Sequence, residues 1–564
     1  MKLCRVAIHN YRGILEVSFH AYEYSLLVGA NNHGKSAVMS AIRAFYEKDG
    51  AKFKDEVDWP FVPTVDQESW TELTYELTDA EDKDLKDEYR NPERRLCLRK
   101  YFRTGESSKD GKSRAGMIHA YRTDGSIADE SFYGAKNVQS GKIGDLIFIP
   151  AVSKVDEHTK LTGPSALRDL LSDLMSSVVE GSSAYGALSA AIDTFAKEVR
   201  TEESPDKRSL KGLEDELTDM LSSWRTEFKL DFPPIQPGEM VKSMLDWTLT
   251  DQAHGHTVNA DVCGSGFQRH FIYSLLRLAA RYQPKKVTSK SKDFTPSLTL
   301  MLFEEPEAFL HPPQQDALAR SLVDAARNGV WQVLCSTHSS HFVSRNADSI
   351  PSIVRMQRTN GAMSAYQVDQ NTWTGIVSAN QVINAIAQKW PKMKAKLASD
   401  DTKPDMEAVK HFMWLNPDRA SAFFADRVLL VEGPTEVGLI NKLIGDGRIK
   451  VPEKGVYVLD CLGKYNIHRF ANLFSALGVS HSILYDEDGN VDEHGDINAH
   501  LQSYVGSQHT AAVVALSGDI ESYLGIKPAS APHRKPQHVL YQLETGKIDA
   551  GKLVAFCKLV EGCM

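Results

Sequence analysis

Residues 24–36 read Tyr-Ser-Leu-Leu-Val-Gly-Ala-Asn-Asn-His-Gly-Lys-Ser. Tyr24–Val28 is an apolar strand run that enters a glycine loop directly, and Ala37–Tyr46 behind it has helical spacing. Strand, loop and helix in that order are the setting in which Gly-x-x-x-x-Gly-Lys-Ser binds a nucleoside triphosphate. Gly29 and Gly34 let backbone N–H groups wrap the phosphates without side-chain clash, with Asn31 in the same loop. Lys35 reaches the β- and γ-phosphates, and Ser36 offers its hydroxyl to Mg²⁺. Alone, the eight residues would also suit a Gly/Asn-rich turn, so the partner segments decide.

Those partners lie far downstream. Ser297–Phe303 is a buried-strand run ending in Glu304-Glu305. A double acid after so apolar a strand is costly unless metal or protons compensate it. Glu304 would hold the Mg²⁺ shell, and Glu305 would orient or deprotonate the attacking water. Ser336-Thr337-His338 closes the next strand, where His338 is placed to sense a γ-phosphate. Gly264-Ser265-Gly266-Phe267-Gln268-Arg269 opens a helix with small residues and polar donors, and a helix N-terminus of this kind binds phosphate.

A second constellation follows. Strand Arg427–Val431 runs into Glu432-Gly433-Pro434-Thr435-Glu436, Ile483–Tyr485 delivers Asp486 and Asp488, and Val513–Leu516 precedes Asp519 and Glu521. Strands near 455–459, 482–485 and 512–516 alternate with helices at 436–444, 466–477 and 495–504, which predicts a small parallel sheet covered by helices. Carboxyl ends of parallel strands lie together, so acids from three stretches converge there. Unpaired they repel one another, and Mg²⁺ or Mn²⁺ offsets that repulsion through hard oxygen ligands. Two such ions about 3.5–4 Å apart activate water and stabilise a leaving oxygen. Each acid taken singly reads as a helix cap or loop charge.

Composition sets the limits. At 564 residues the chain exceeds the ~250–300 residues at which single cores stop growing, so it holds more than one domain. It is 42% hydrophobic and 25% charged, the make-up of an ordinary globular protein. A net charge of −9 excludes a generally basic nucleic-acid coat, though not contact through local patches and bound cations. Basic runs at Arg94, Arg95, Arg99, Lys100 and Arg103, and at Lys392, Lys394 and Lys396, read first as solvated faces. Seven scattered cysteines without C-x-x-C spacing fit a reducing cytosol and no cysteine zinc site. No apolar run approaches the ~20 residues of a membrane helix, and the first residues enter a strand at 3–9 instead of a signal peptide. The expectation is a cytoplasmic protein without membrane contact.

Further strands are predicted at 73–77, 95–102, 117–122 and 145–150, then a helix at 266–281, strand 297–303, helix 313–328 and strand 331–336. Between them, Leu167, Leu170, Leu171, Leu174 and Met175, and then Leu188, Ala191, Ile192 and Phe195, recur at helical spacing. They predict a helical hairpin whose apolar faces pack on each other or on a second subunit. Pro284–Lys292 reads as an exposed loop, and residues 372–425 as a mostly helical bridge.

The motifs of residues 1–160 and 255–345, in their order, resemble the ABC-type ATPase heads of SMC-like and RecF-like DNA-repair proteins. The resemblance implies that Gly264, Ser265, Gly266 and Gln268 of one subunit cap ATP held by the glycine loop of another, and that Asn10-Tyr11-Arg12 lies near the base. This signature departs from the usual Ser-Gly-Gly form, so ATP binding is implied more strongly than dimer-driven hydrolysis. The acidic segments look like the Toprim domain of topoisomerases, primases and certain nucleases, over roughly residues 425–530. Head plus Toprim resembles the OLD (overcoming lysogenization defect) nuclease family. The implied fold class is α/β: an ABC-type P-loop ATPase with a helical insertion for dimerisation, followed by a Toprim α/β domain. The expected divisions are residues 1–160 and 251–371 for the two ATPase lobes, 161–250 for the insertion, 372–425 for a linker and 426–564 for Toprim.

By the same resemblance Glu432, Asp486 and Asp488 hold one metal, Glu436, Asp519 and Glu521 hold or orient a second, and Lys535 steadies transition-state charge, with Lys527 as the alternative. The implied activity is an ATP-binding, metal-dependent DNA endonuclease, a homodimer or larger assembly. Family members commonly serve in defence against phage, some beside a helicase-like protein and others beside a retron reverse transcriptase with its DNA–RNA hybrid. The short segment after Toprim suggests that any such partner is encoded separately. The competing expectations are an ATP-gated DNA clamp or sensor with an idle Toprim, a strand-passing enzyme, and a Toprim enzyme acting on RNA.

Overall fold

The computed structural model describes residues 1–47, 50–107, 111, 113–134, 142–151, 159–160, 167, 171–172, 174–175, 178, 182–222, 225–230, 245–282, 294, 296–329, 331–345, 347–394, 403–453, 455–489 and 492–564. Leu170, Lys396, the side chain of Lys392 and nearly all of the Pro284–Lys292 loop's surroundings, including the loop itself, lie outside the described residues. The chain forms two compact units, residues 1–151 with 291–564, and residues 152–290.

The first unit contains two sheets. Its N-terminal strands are β1 (Lys2–Tyr11), β2 (Ile14–His20), β3 (Tyr24–Val28), β4 (Ser69–Glu76), β5 (Arg95–Arg103), β6 (Ile118–Ala120) and β7 (Asp145–Ile149). The second unit supplies a separate strand pair, β8 (Leu249–Asp251) and β9 (His256–Val258). Returning to the first unit, β10 (Thr299–Glu304), β11 (Gln332–Ser336), β12 (Ile353–Thr359) and β13 (Ala362–Gln367) complete an eleven-stranded sheet. Its order is β6-β5-β4-β1-β2-β13-β12-β3-β11-β10-β7.

Within that sheet β7, β10, β11, β3 and β12 run parallel. Every residue of β3 and β11 is buried, as expected for strands covered on both faces. β11 lies between β3, which carries the glycine loop, and β10, which ends in Glu304. Whatever leaves β11 therefore emerges between the loop and the acids. β12 and β13 form a hairpin that is not among the strands predicted from the sequence. Its turn is Asn360-Gly361, both with left-handed φ (51° and 89°), the two-residue signature of a tight hairpin.

The second sheet consists of β14 (Arg427–Val431), β15 (Tyr457–Asp460), β16 (Ser480–Asp486) and β17 (Thr510–Leu516), in the order β15-β14-β16-β17 and parallel throughout. Its core joins Leu429, Val431, Leu484 and Leu516 to Leu439 of helix Pro434–Gly445. Val539 and Phe556, from helices Lys535–Glu544 and Ala550–Cys563, belong to the same core. This apolar cluster thus continues to Met564, well past residue 530.

Arg355 of β12, fully buried, joins the two sheets. Its guanidinium donates to the carbonyls of Phe423 (3.1 Å), Ala425 (3.2 Å), Leu477 (3.2 Å) and Gly478 (2.9 Å). Burying such a charge is tolerable because its donors are satisfied. Gly478 is left-handed (φ 66°), and a Cβ there would lie 2.6 Å from the Tyr366 ring, so the contact requires glycine. The linker, helical as expected, docks through buried Glu407, whose carboxylate accepts from Arg469 at 2.9 and 3.1 Å.

In the second unit helices Ser183–Thr201 and Leu210–Met220 are tied by Arg200 to Glu214 at 2.6 Å. The first of these helices buries none of its side chains, and Phe195 is 60% exposed. Helix Ser265–Tyr282 belongs to the same unit.

Candidate nucleotide and metal-carboxylate sites

The glycine loop connects β3 to helix Lys35–Tyr46, whose N-terminus has no side-chain cap. Its first-turn N–H groups are thus not taken up by a capping side chain. Gly29 (φ 132°) and Gly34 (φ 98°) are both left-handed, and a Cβ would strike the Met356 carbonyl at 2.3 Å or the Met363 sulfur at 2.4 Å. The loop packs so closely against the β12–β13 hairpin that only glycine fits. Asn31, Lys35, Ser36, Glu305 and His338 line a cavity of about 680 Å³ beside it. That volume suits a nucleotide.

Lys35 Nζ donates to the carbonyls of Gly29 (2.8 Å) and Ala30 (2.9 Å), and burial pulls its pKa down to about 8. A desolvated ammonium inside an amide cradle is relieved by a phosphate. Burial raises the Glu304 carboxyl, while the Ser36 hydroxyl bonded to it works against that rise. The Ser36 hydroxyl and the Glu304 carboxylate are therefore paired. Glu305 adopts a left-handed φ of 43°, and its N–H donates to the Ser336 carbonyl at 2.8 Å. His338 Nε2 stands 3.5 Å from Glu305 Oε1, and the His338 N–H donates to Glu307 Oε1 at 2.6 Å. Burial, followed by the Lys35 charge, lowers the His338 pKa, so a neutral imidazole faces the cavity.

In the second unit Gly264 and Ser265 are exposed at the start of helix Ser265–Tyr282, and Gly266 is half-buried. The Gln268 side chain donates to the carbonyls of Asp261 (3.0 Å) and Cys263 (2.9 Å), holding the turn that begins the helix.

At the second sheet the acids gather at the carboxyl ends of β14, β16 and β17. Glu432 Oε1 accepts the Asp486 N–H at 2.8 Å across neighbouring strands, and Glu436 Oε2 accepts the Gly433 N–H at 3.0 Å. Asp519 caps helix Ile520–Leu524 by accepting the Ser522 N–H at 2.8 Å, and Glu521 accepts the Ala529 N–H at 2.7 Å. Lys535 Nζ reaches Asp486 Oδ2 at 3.4 Å, whereas Lys527 is exposed. Asp486 is 3% exposed, and among the described residues its Oδ1 meets no partner in full hydrogen-bond geometry.

Burial, then the Asp486 charge, pushes Glu432 up to about 8 and Glu436 up to about 7. Burial also raises Asp486. Lys535 goes the other way: burial opposes its charge, but Asp486, Glu436, Asp519 and Glu521 together raise its pKa. Among the described residues no three of these acids are drawn tightly enough to cage an ion as they stand. A buried carboxylate amid proton-hungry acids nevertheless fits a hard divalent cation.

Sequence reasoning missed Lys464 and His494. Lys464 Nζ bonds the Asp486 carbonyl and lies 3.3 Å from Asp488 Oδ2, and His494 Nδ1 is 3.1 Å from the same oxygen. Gly463-Lys464 after an apolar strand was the available signal. The run at 94–103 is only in part a solvated face: Arg94 and Arg95 are exposed, whereas Lys100 is buried and pairs with Glu47, and Arg99 is half-buried against Glu72. All seven cysteines are among the described residues, and none of them is in a disulfide.

An AAA ATPase domain model matches residues 1–113 and 99–343, and an overcoming lysogenization defect protein-like TOPRIM domain model matches residues 423–488. The chain is 24% identical over 497 residues to the Old nuclease of Escherichia phage P2, covering 86% of this chain and 77% of that protein. It is 21% identical over 505 residues to endonuclease GajA of Bacillus cereus (strain VD045), covering 86% and 75%. An SMC head bound to the C-winged helix domain of ScpA is a loose structural likeness, with TM-score 0.39 and 12% identity over 66% of this chain and all of that one. With the ATPase model spanning more than half of its length, the chain belongs to the AAA ATPase family, and the strands that deliver Glu432, Asp486 and Asp488 lie in the segment matched by the overcoming lysogenization defect protein-like TOPRIM domain.

Proposed function

We propose that the chain is an ATP-binding, divalent-metal-dependent DNA endonuclease whose cutting is controlled by its ATPase domain. The observation that carries this reading is the set of buried acids at three parallel strand ends, with Lys535 reaching Asp486 among them. Glu432, Asp486 and Asp488 would hold one Mg²⁺ or Mn²⁺, and Glu436, Asp519 and Glu521 a second. Bound there, the cations would supply an activated water and charge for the leaving oxygen. Without a cation, burial and then the Asp486 charge hold the Glu432 carboxyl up at about 8, so a bound metal would displace its proton. Lys535, a quarter of its side chain exposed, offers a positive charge to the scissile phosphate.

Control by ATP has a physical route. His33, inside the glycine loop, lies 3.7 Å from Asp426. Asp426 immediately precedes β14, and Glu432 immediately follows it. Phosphate binding at the loop thus acts within one strand's length of a catalytic acid. Glu305 and His338 would orient water for ATP hydrolysis, and Gly264, Ser265, Gly266 and Gln268 would meet nucleotide held by a second copy. The exposed Phe195 face supports a homodimer or larger assembly. A role in anti-phage defence, with a separately encoded reverse transcriptase or helicase-like partner, rests on the family resemblance. No described helix is long and apolar enough to cross a membrane, which accords with a cytoplasmic site of action.

The test is cleavage of supercoiled plasmid with Mg²⁺ or Mn²⁺, with and without ATP. Wild-type protein nicks or linearises the plasmid, and Asp486→Ala does not. Unchanged cleavage by that variant removes the assigned site.

A further inference from the structure

The carboxylate site holds two lysines in different settings. Lys535 is partly exposed and reaches an Asp486 side-chain oxygen. Lys464 is closed off, with 3% of its side chain exposed. It follows left-handed Gly463 (φ 106°), whose N–H donates to the Glu432 carbonyl at 2.7 Å. The loop after β15 is therefore tied to the first acid by its backbone and enters the site by its side chain. Lys464 Nζ donates to the Asp486 carbonyl, approaches Asp488 Oδ2 at 3.3 Å and stands 5.3 Å from the Tyr485 ring centre.

Asp488 needs such support. Its φ of 46° lies in the left-handed region, a conformation that persists only where surroundings over-determine it. Three contacts do so: Lys464, His494 at 3.1 Å, and its own N–H donating to the Gly518 carbonyl at 3.1 Å. These bonds connect the end of β16 to the turn after β17, where Asp519 and Glu521 begin.

We infer that Lys464 is the positioning residue of the metal site: it fixes the Asp486–Asp488 turn so that both carboxylates face the cation, without itself touching DNA. Burial keeps it from substrate, whereas Lys535 is the lysine open to a phosphate. This inference rests on the proposed metal-dependent nuclease activity and assigns a residue to that same site.

The two possible roles of a cation beside a cation site have opposite signs. If Lys464 contributed charge alone, its removal would relieve repulsion and tighten metal binding. If it positions Asp488, its removal loosens the ligand set and weakens binding, as loss of an outer-shell partner does by about 10–100-fold. The test is Mn²⁺ calorimetry on the full chain for wild type, Lys464→Met, Lys464→Arg, Asp488→Asn and the Lys464→Met/Asp488→Asn double variant, with ATP binding as the check on folding. Lys464→Met is expected to weaken Mn²⁺ about tenfold or more and to raise the Mn²⁺ needed for half-maximal cleavage. Lys464→Arg should recover part of the loss. The double variant should bind little worse than Asp488→Asn, because the two residues act as a unit. Unchanged or tighter Mn²⁺ binding by a Lys464→Met protein that still binds ATP overturns the inference. Should that variant fail to bind ATP, Lys464→Arg decides: wild-type affinity with a wild-type metal requirement overturns the inference, and an intermediate loss upholds it. If wild-type protein neither binds Mn²⁺ nor cuts, the nuclease reading itself fails, which is a separate outcome.

Discussion

The nucleotide cavity and the carboxylate site are electrostatic opposites built on the same scaffold feature, the carboxyl ends of parallel strands. At the first, burial depresses a cation: Lys35 falls to about 8 and its ammonium leans on loop carbonyls. At the second, burial raises acids: Glu432 to about 8 and Glu436 to about 7. Each site holds its own charge at a disadvantage that a ligand of opposite sign relieves. The building materials differ accordingly. The nucleotide cavity is lined by a backbone loop that requires glycines in left-handed conformations. The second site is built of side chains, acids delivered from three separate strands.

That contrast can be broken by experiment. The largest effect is expected from Asp486→Ala, which removes the central carboxylate. Metal-dependent plasmid cleavage should fall by about three orders of magnitude while ATP affinity stays at the wild-type value. Loss of both would show that the sites are not separable. Next, Lys35→Ala should weaken ATP by about 100-fold in equilibrium binding, the worth of a buried charge-assisted contact. Mn²⁺ affinity should be untouched.

A third, smaller effect concerns pH. Below their raised pKa values Glu432 and Glu436 hold protons that a metal must displace. Apparent Mn²⁺ affinity should therefore climb as pH rises from about 6 to 8, by about tenfold or a few tens-fold for one proton displaced, and level off only as pH passes the higher pKa, about 8. Calorimetry in buffers of different ionisation enthalpy counts those protons. Metal-free stability should run oppositely, because the folded state binds more protons than the unfolded one between the ordinary carboxylate range and about 8. A pH-independent affinity would mean that the acids are already ionised.

The smallest effect tests the link between the sites. Asp426→Asn removes the charge facing His33 and should alter the ATP response of cleavage by about 2–5-fold, with ATP affinity and ATP-free cleavage near wild type. An unaltered ATP response would place the coupling elsewhere.

Much of this was legible in the sequence because both sites announce themselves locally. The P-loop needs its residues contiguous, and Val-Leu-Leu-Val before Glu432 is a strand by pattern alone. The β12–β13 hairpin was also announced, by Asn360-Gly361, and went unread because Arg355 and Arg358 interrupt the apolar run of β12. Lys464 was not legible in the same way. Its spacing from Asp486 and Asp488 carries no period, and only the pairing of β15 beside β14 brings it to them. His33 likewise reads as an unspecified loop position until Asp426, almost four hundred residues away, is folded against it.

Local sequence suffices to mark a glycine loop and an acid cluster and their order along the chain, since a strand, a turn and the acids or glycines after it are set by neighbours a few residues apart. Tertiary structure alone decided how the chemistries meet. The His33–Asp426 contact, the buried Arg355 joint and the Lys464 clamp all join residues distant in the chain. Such contacts follow from which strands become neighbours and which charges must find partners once water is excluded.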